Sequence, residues 1–218
     1  MSIAILWFYV YLSTSKTVYM KIPHLLILFR LLLAPLIIFL AYQLGDASRI
    51  LILILMFLGL ISDIFDGIIA RKEQISTVRL RRMDSQVDMV FWLAIAVSCF
   101  ILNPELIEMH KVGIIALLGM EALCYVISFI RFGKETCTHA FLSKIWGVLL
   151  FTAFVSLIGF EYAGIPMQLM IYWGILSQLD VILIVLLLPE WQNDIPSSYH
   201  ARLIRKGIPI KKHKLLNG

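Results

Sequence analysis

Charged residues are scarce in this chain. Of its 218 residues, 15% are Asp, Glu, Lys or Arg, whereas 61% are hydrophobic. This composition excludes an ordinary soluble domain, which needs a larger polar fraction to cover its surface. Several apolar runs are long enough to cross a hydrocarbon core of about 30 Å, which takes roughly 20 helical residues. The sequence therefore predicts an integral membrane protein.

Cysteine is also rare, and basic residues are dispersed. Cys99, Cys124 and Cys137 are the three cysteines, and they lack the close spacing of metal-binding or redox pairs. We expect them to be small apolar fillers. The basic residues are divided among several loops and nowhere alternate with aromatic residues. The sequence therefore gives no indication of a nucleic-acid partner.

The long apolar runs predict an all-α fold with six transmembrane helices. They lack the alternation of a membrane strand, and a continuous apolar run satisfies its backbone inside lipid as a helix. The predicted limits of the helices are 22–44, 50–70, 85–102, 112–132, 145–162 and 167–188. Residues 22–189 would form one membrane domain, followed by a basic tail over 190–218.

The distribution of Lys and Arg predicts the orientation, because these residues accumulate in cytoplasmic loops. One side of the predicted bundle carries Lys16, Lys21, Arg71, Lys72, Arg79, Arg81, Arg82, Arg131, Lys134, Lys144 and the basic residues of the tail. The loops on the opposite side carry Arg49 and Lys111. Both termini, and the loop that follows the second helix, are therefore predicted to be cytoplasmic.

The N-terminal segment 1–21 contains an apolar stretch that is too short to span a membrane. No basic residue precedes the stretch, which argues against a cleaved secretion signal. Its aromatic residues, among them Trp7 and Tyr9, favour a short helix lying in the membrane interface. A translation start at Met20 is the alternative.

Four aspartates lie around the end of the second predicted helix and the start of the third. Asp63 and Asp66 are three residues apart, and Asp84 and Asp88 are four apart, so each pair occupies one helix face. A short connection makes the two helices antiparallel neighbours, which can bring the four carboxylates together. Clustered carboxylates repel one another unless a divalent cation is present, and their oxygen atoms suit Mg²⁺ or Mn²⁺. The sequence therefore predicts a metal site that can receive a phosphorylated substrate.

An alternative interpretation treats these aspartates as solvated loop ends. It explains Asp63 and Asp66 poorly, because both lie within an apolar run where a charge is costly. Gly67 and Ala70 leave space beside them, and the Arg71 guanidinium can bind phosphate.

The stretch 63–88 resembles the signature of the CDP-alcohol phosphatidyltransferase family, which is DxxDGxxAR followed by GxxxDxxxD. The matching residues are Asp63, Asp66, Gly67, Ala70, Arg71, Asp84 and Asp88, at the family's spacing. Leu80 stands where the signature has Gly. Residues 22–35 also resemble the first membrane helix of the family. The number of predicted helices, six, agrees with the family as well.

The resemblance implies an enzyme that transfers a phosphatidyl group from a CDP-linked lipid, usually CDP-diacylglycerol, to an alcohol and releases CMP. It implies one or two Mg²⁺ or Mn²⁺ ions held by Asp63, Asp66, Asp84 and Asp88, with Asp88 also acting as the catalytic base. It places the CDP moiety beside Gly67, Ala70, Arg71 and Thr77. It further implies a homodimer in the cytoplasmic (inner) membrane, with the active site at the cytoplasmic face.

Two alternatives to this activity stay open. Leu80 occupies space beside the nucleotide position, so the chain could be a weak or inactive relative that binds CDP-lipid. Intramembrane acids such as Asp63, Asp66 and Asp180 would also suit a cation transporter, although transport predicts acids spread through the depth of the membrane.

The acceptor alcohol is not identified by the sequence. Inositol phosphate, glycerol phosphate and other polar alcohols are all compatible with the pattern. Arg131, Lys134 and Lys144 lie on the same predicted side as the aspartates and form a candidate site for an acceptor phosphate. Their positions are equally explained by the preference of basic residues for cytoplasmic loops.

Three further ionisable residues lie inside predicted helices, where such groups usually find partners in the bundle interior. Arg30 lies at a depth close to that of Asp63, so we expect it to pair with an aspartate or to bind phosphate. Asp180 lies deeper, and the sequence assigns no role to it or to Glu121.

Overall fold

The structure, a computed structural model, describes residues 21–72, 78–134, 140–192 and 195–208. All regular secondary structure in these residues is helical. The helices are α1 (Lys21–Leu44), α2 (Arg49–Lys72), α3 (Val78–Leu102), α4 (Pro104–Met109), α5 (Lys111–Phe132), α6 (Phe141–Phe160), α7 (Ile165–Leu187) and α8 (Ser198–Arg205), with a 3₁₀ turn at Gly45–Ser48. The predicted all-α class is confirmed.

Within the described ranges, five segments are long and apolar enough to cross a membrane, as expected for a multi-pass membrane protein. They are Ile22–Ile69, Met83–Leu102, Lys111–Phe132, Phe141–Phe160 and Ile165–Leu187. The first is 48 residues long and includes α1 and most of α2, because only the short 3₁₀ turn separates these two helices.

Each of the six predicted apolar runs coincides with one long helix. The largest difference is at α3, which begins at Val78 rather than at 85. The added residues are mostly polar, and they extend the helix because backbone hydrogen bonding does not require an apolar side chain. Residues 1–20, which include almost all of the predicted interfacial segment, lie outside the described residues. Thr77, Cys137 and the tail beyond position 208 also lie outside them.

The chain divides into two compact units, residues 1–104 and 105–218. In the first unit, α1 packs against both α2 and α3. The Ser62 hydroxyl on α2 donates a hydrogen bond to the Leu26 carbonyl on α1 (3.2 Å), so the second half of α2 lies beside the first half of α1. Arg49, at the start of α2, donates to the Leu102 carbonyl at the end of α3 (3.2 Å). The helix α2 is therefore antiparallel to both of its neighbours in the first unit.

The buried residues of the first unit follow one face of each helix at helical spacing. They include Ile27, Arg30, Ala34, Ile37 and Ala41 on α1, Ile52, Met56, Ser62 and Asp66 on α2, and Leu80, Phe91, Ile95 and Cys99 on α3. Many large apolar side chains on the other faces are exposed, as expected for helices that face lipid. The buried faces of α1 and α2 therefore also carry polar residues, among them Arg30, Ser62 and Asp66.

Gly59 allows the ring of Phe91 to lie against the backbone of α2. A Cβ atom added at Gly59 would lie 2.2 Å from Cζ of Phe91, which is 1% exposed. Small residues at such crossings allow membrane helices to approach closely.

Substitution of Gly59 by Ala is expected to lower the free energy of unfolding by about 1–3 kcal/mol, because the buried Phe91 ring has to move. The measurement is thermal unfolding of the purified protein in detergent. Gly119→Ala is the matched control, since no atom lies within 4 Å of a Cβ at that position on α5. An unchanged unfolding midpoint in Gly59→Ala would contradict the close approach.

In the second unit, α7 is the central helix and packs against α5, α6 and α8. Polar groups along it are paired across the helix contacts. The Trp146 ring nitrogen donates to the Met170 carbonyl (3.1 Å), and the Ser143 and Ser177 hydroxyls lie 2.9 Å apart. The Cys124 thiol donates to the side-chain carbonyl of Gln178 (3.2 Å). Cys124 and Cys99 are free and buried, and this burial agrees with the predicted role of small filler residues.

Asp180 connects α7 to the residues that follow it. Its Oδ1 accepts a hydrogen bond from the backbone N–H of Ser198 (3.1 Å), at the first residue of α8. A carboxylate in this position satisfies a free N–H group and interacts favourably with the helix dipole. Part of the predicted tail is therefore a helix anchored to the second unit, with Ala201 fully buried.

Candidate active site

The four aspartates are carried by two helices of the first unit. Asp63 and Asp66 lie on α2, near the buried Ser62, and Asp84 and Asp88 lie one turn apart on α3. Both helices contact α1, so the two pairs of carboxylates approach the same side of α1. Helical spacing alone explains why each pair shares a face. The antiparallel packing then brings the two pairs together.

Arg30, on α1, lies between these carboxylates. Its Nη1 donates to Oδ1 of Asp63 at 2.8 Å and to Oδ1 of Asp88. Its Nη2 donates to Oδ1 of Asp84 at 2.5 Å and to Oδ2 of Asp66. The sequence predicted that Arg30 would pair with an aspartate or bind phosphate, and the structure pairs it with all four.

The four aspartates differ in how far they reach the surface. The Asp66 side chain is 4% exposed and that of Arg30 is fully buried. The side chains of Asp63, Asp84 and Asp88 are 39%, 30% and 27% exposed, respectively. The site therefore has one buried carboxylate, that of Asp66, and three carboxylates that are partly exposed.

The four carboxylates carry more negative charge than Arg30 alone offsets. Among the described side chains, Arg30 is the one cation that bonds all four of them, and it contributes one positive charge against four negative charges when all are ionised. Carboxylates withdrawn from water require compensation by positive charge. One oxygen from each of Asp63, Asp66 and Asp84 lies within 4.8 Å of the other two. Such a set of oxygen donors fits Mg²⁺ or Mn²⁺.

Leu80 lies one turn before Asp84 on α3. It is 7% exposed and packs with Ile27 and Val87 in a small apolar cluster. Ile27 is one turn before Arg30 on α1, so this cluster adjoins the charged site. In the position where the signature has Gly, this chain therefore has a side chain that packs α3 against α1.

The residues predicted to contact CDP are partly described. Gly67 directly follows Asp66 on α2, and Ala70 and Arg71 lie in the last turn of the same helix. Thr77 lies outside the described residues.

The basic residues considered for an acceptor phosphate belong to the second unit. Arg131 donates to the Leu188 carbonyl (2.9 Å), at the end of α7. The Lys134 ammonium lies 4.8 Å from the centre of the Trp191 ring. Lys144 is exposed in the first turn of α6. The contacts of Arg131 and Lys134 attach the end of α5 to the segment that follows α7.

Arg30 and Asp180 have partners that the sequence did not specify. The signal for Arg30 was an arginine within an apolar run, at a depth close to that of Asp63. Its involvement with four carboxylates depends on how three helices are rotated about their axes. The Asp180 contact with Ser198 depends on the chain returning to α7 after Leu188, which periodicity does not encode.

A comparison with protein-family models matches residues 20–190 to CDP-alcohol phosphatidyltransferase. No curated protein and no solved structure matches the chain. The matched range covers well over half of the sequence and includes α1 to α7, with all four aspartates and Arg30. The chain therefore belongs to the CDP-alcohol phosphatidyltransferase family.

Proposed function

We propose that this protein catalyses the metal-dependent transfer of a phosphatidyl group from CDP-diacylglycerol to a polar alcohol, with release of CMP. Family membership supports phosphatidyl transfer from a CDP-alcohol and a role in phospholipid biosynthesis. The observation that carries the proposal is the convergence of the Asp63, Asp66 and Asp84 carboxylates within 4.8 Å. Such a set of acidic side chains suits a diphosphate substrate that binds together with a cation.

The aspartates have different roles in the proposed reaction. Asp63, Asp66 and Asp84 would hold Mg²⁺ or Mn²⁺, as one or two ions, with Asp88 completing the metal site and also serving as the base. When bound, a divalent cation supplies positive charge that stabilises the diphosphate oxygens as the bond to CMP breaks. Asp66 is the most buried of the four aspartates, so its carboxylate is the one most firmly held in place by the surrounding helices.

Asp88 accepts the proton of the acceptor hydroxyl. Its side chain is 27% exposed, so an alcohol can approach it from outside, whereas Asp66 is 4% exposed. The hydroxyl oxygen forms a bond to the phosphorus of the phosphatidyl group, and the bond from that phosphorus to the CMP oxygen breaks. A positioned carboxylate is a sufficient base for this step when the developing charge is stabilised.

We assign substrate binding to two further groups of residues, the first from the resemblance to the family signature and the second from the predicted cytoplasmic loops. Gly67, Ala70, Arg71 and Thr77 contact the CDP moiety, and Arg131, Lys134 and Lys144 are candidates for the phosphate of an acceptor such as inositol phosphate or glycerol phosphate. Arg71 suits a phosphate because its guanidinium donates two parallel hydrogen bonds.

We further propose that the protein is a homodimer in the cytoplasmic membrane. In this proposal α1, α2, α3, α5, α6 and α7 each cross the membrane, and both termini and the aspartates lie at the cytoplasmic side. The distribution of Lys and Arg supports this orientation. Residues 22–189 form the catalytic domain, 1–21 an interfacial segment and 190–218 a basic tail.

The test is the release of CMP from CDP-diacylglycerol by purified protein with Mg²⁺ or Mn²⁺. Glycerol phosphate, inositol, inositol phosphate, serine and lipid alcohols are supplied in parallel, and binding of CDP-diacylglycerol is measured separately. We expect CMP release with one acceptor class and none after EDTA treatment. Binding of CDP-diacylglycerol without turnover on any acceptor would instead favour an inactive relative.

A further inference from the structure

We propose that Arg30 is an internal counter-ion of the aspartate cluster, which consists of Asp63, Asp66, Asp84 and Asp88. It holds these carboxylates together in the metal-free protein and lowers their affinity for a divalent cation. Arg30 is therefore a positioning residue, and the inference rests on the proposed metal-dependent function of the same site.

The hydrogen bonds of Arg30 connect three helices. Nη1 joins Asp63 on α2 to Asp88 on α3, and Nη2 joins Asp66 on α2 to Asp84 on α3. Each terminal nitrogen thus bridges the same two helices from its position on α1. Loss of the guanidinium removes a positive charge that the four carboxylates share, and the stronger repulsion among them favours separation of α2 from α3.

Arg30 is placed where a cation would bind. Three of the carboxylates to which it donates, those of Asp63, Asp66 and Asp84, also form the group whose oxygen atoms lie within 4.8 Å of one another. The Arg30 side chain is fully buried, so water and salt screen its charge weakly. A positive charge held at hydrogen-bond distance from these oxygen atoms repels a divalent cation and weakens its binding.

The arginine and the cation therefore compete for the same carboxylates. In the metal-free protein Arg30 supplies the only positive charge that bonds all four aspartates among the described residues. A cation held by Asp63, Asp66 and Asp84 would weaken the hydrogen bonds of Arg30 to these carboxylates. The Arg30 guanidinium could then donate to a phosphate, for which it has suitable donors.

The experiment compares Arg30→Gln with wild type in two measurements. Thermal unfolding is followed with excess EDTA and with excess Mn²⁺, and Mn²⁺ affinity is measured by electron paramagnetic resonance of the free ion. We expect Arg30→Gln to lower the unfolding midpoint strongly in EDTA and much less in Mn²⁺. We expect its Mn²⁺ dissociation constant to fall about tenfold or more, because a buried positive charge near the ion is removed.

Two further variants separate charge from general destabilisation. Arg49→Gln removes an arginine of the same unit that bonds Asp46 and Asn103, outside the aspartate cluster. It is expected to shift the unfolding midpoint equally in EDTA and Mn²⁺ and to leave Mn²⁺ affinity unchanged. Arg30→Lys keeps the charge, so it should keep Mn²⁺ affinity near that of wild type and restore part of the stability in EDTA.

Each outcome supports or contradicts the counter-ion role. Equal loss of stability in EDTA and Mn²⁺, together with unchanged or weaker Mn²⁺ binding by Arg30→Gln, overturns that role and leaves the proposed function standing. Absence of Mn²⁺ binding in wild type and variant overturns the metal-dependent function as well. If Arg30→Gln can be purified only with Mn²⁺, unfolding after addition of EDTA supports the inference, and retention of the fold contradicts it.

Discussion

Replacement of Asp66 by Asn is expected to lower the rate of CMP release roughly 1000-fold or more, because loss of one preorganised carboxylate weakens both the metal site and the stabilisation of developing charge. Asp66 is chosen because its side chain is 4% exposed. A water molecule therefore has little space to take the place of the lost carboxylate oxygen. Asn has nearly the same shape, which limits the effect to charge and to the loss of an oxygen donor. The measurements are CMP release and Mn²⁺ affinity, both of which should decrease.

The control for this substitution is Asp46→Asn. Asp46 lies in the same unit, its side chain is 81% exposed, and it pairs with Arg49 at 2.7 Å. An exposed pair of this kind contributes little to stability. CMP release should therefore be close to that of wild type. Turnover by Asp66→Asn comparable with that of the control would exclude Asp66 from the catalytic site.

Replacement of Asp88 by Asn is expected to reduce kcat by about 10²–10⁴-fold, whereas it lowers Mn²⁺ affinity much less than Asp66→Asn does. The introduced amide can still accept a hydrogen bond from Arg30, but it cannot take the proton of the acceptor hydroxyl. The group of carboxylate oxygens within 4.8 Å consists of Asp63, Asp66 and Asp84, so Asp88→Asn retains three of the four proposed metal ligands. The variant separates proton transfer from metal binding.

The comparison of the two variants is the sharper measurement. Asp66→Asn should lose both Mn²⁺ affinity and turnover, whereas Asp88→Asn should lose mainly turnover. Full activity of Asp88→Asn would remove its role as the base. An equal loss of Mn²⁺ affinity in both variants would instead make Asp88 a metal ligand of the same rank as Asp66.

Leu80 illustrates how a departure from a sequence signature can be interpreted only in three dimensions. The sequence showed that a side chain of four carbons replaces Gly, and it left open an effect on the nucleotide pocket. The structure places that side chain against Ile27 and Val87, where it contributes to the contact between α3 and α1. Burial of such a side chain is favourable by about 1.5–3 kcal/mol. The substitution therefore supports the helix that carries Asp84 and Asp88.

The sequence by itself determined the helical class, the positions of the long helices and the pairing of aspartates on common faces. These features depend on local quantities, namely the length of an apolar run and a separation of three or four residues. The family also follows from residues close together in the chain, because most of its signature lies within positions 63–88. Hydropathy did not mark the start of α3, which begins in a polar stretch at Val78.

Only the tertiary structure decided which groups meet. Arg30 is separated from Asp63 by 33 residues and from Asp88 by 58, and its position among the four carboxylates depends on the rotation and relative height of α1, α2 and α3. The contact of Asp180 with Ser198 likewise depends on the chain folding back against α7. Periodicity specifies the face on which a side chain lies. The partner that it meets is set by packing between helices, which involves residues far apart in the chain.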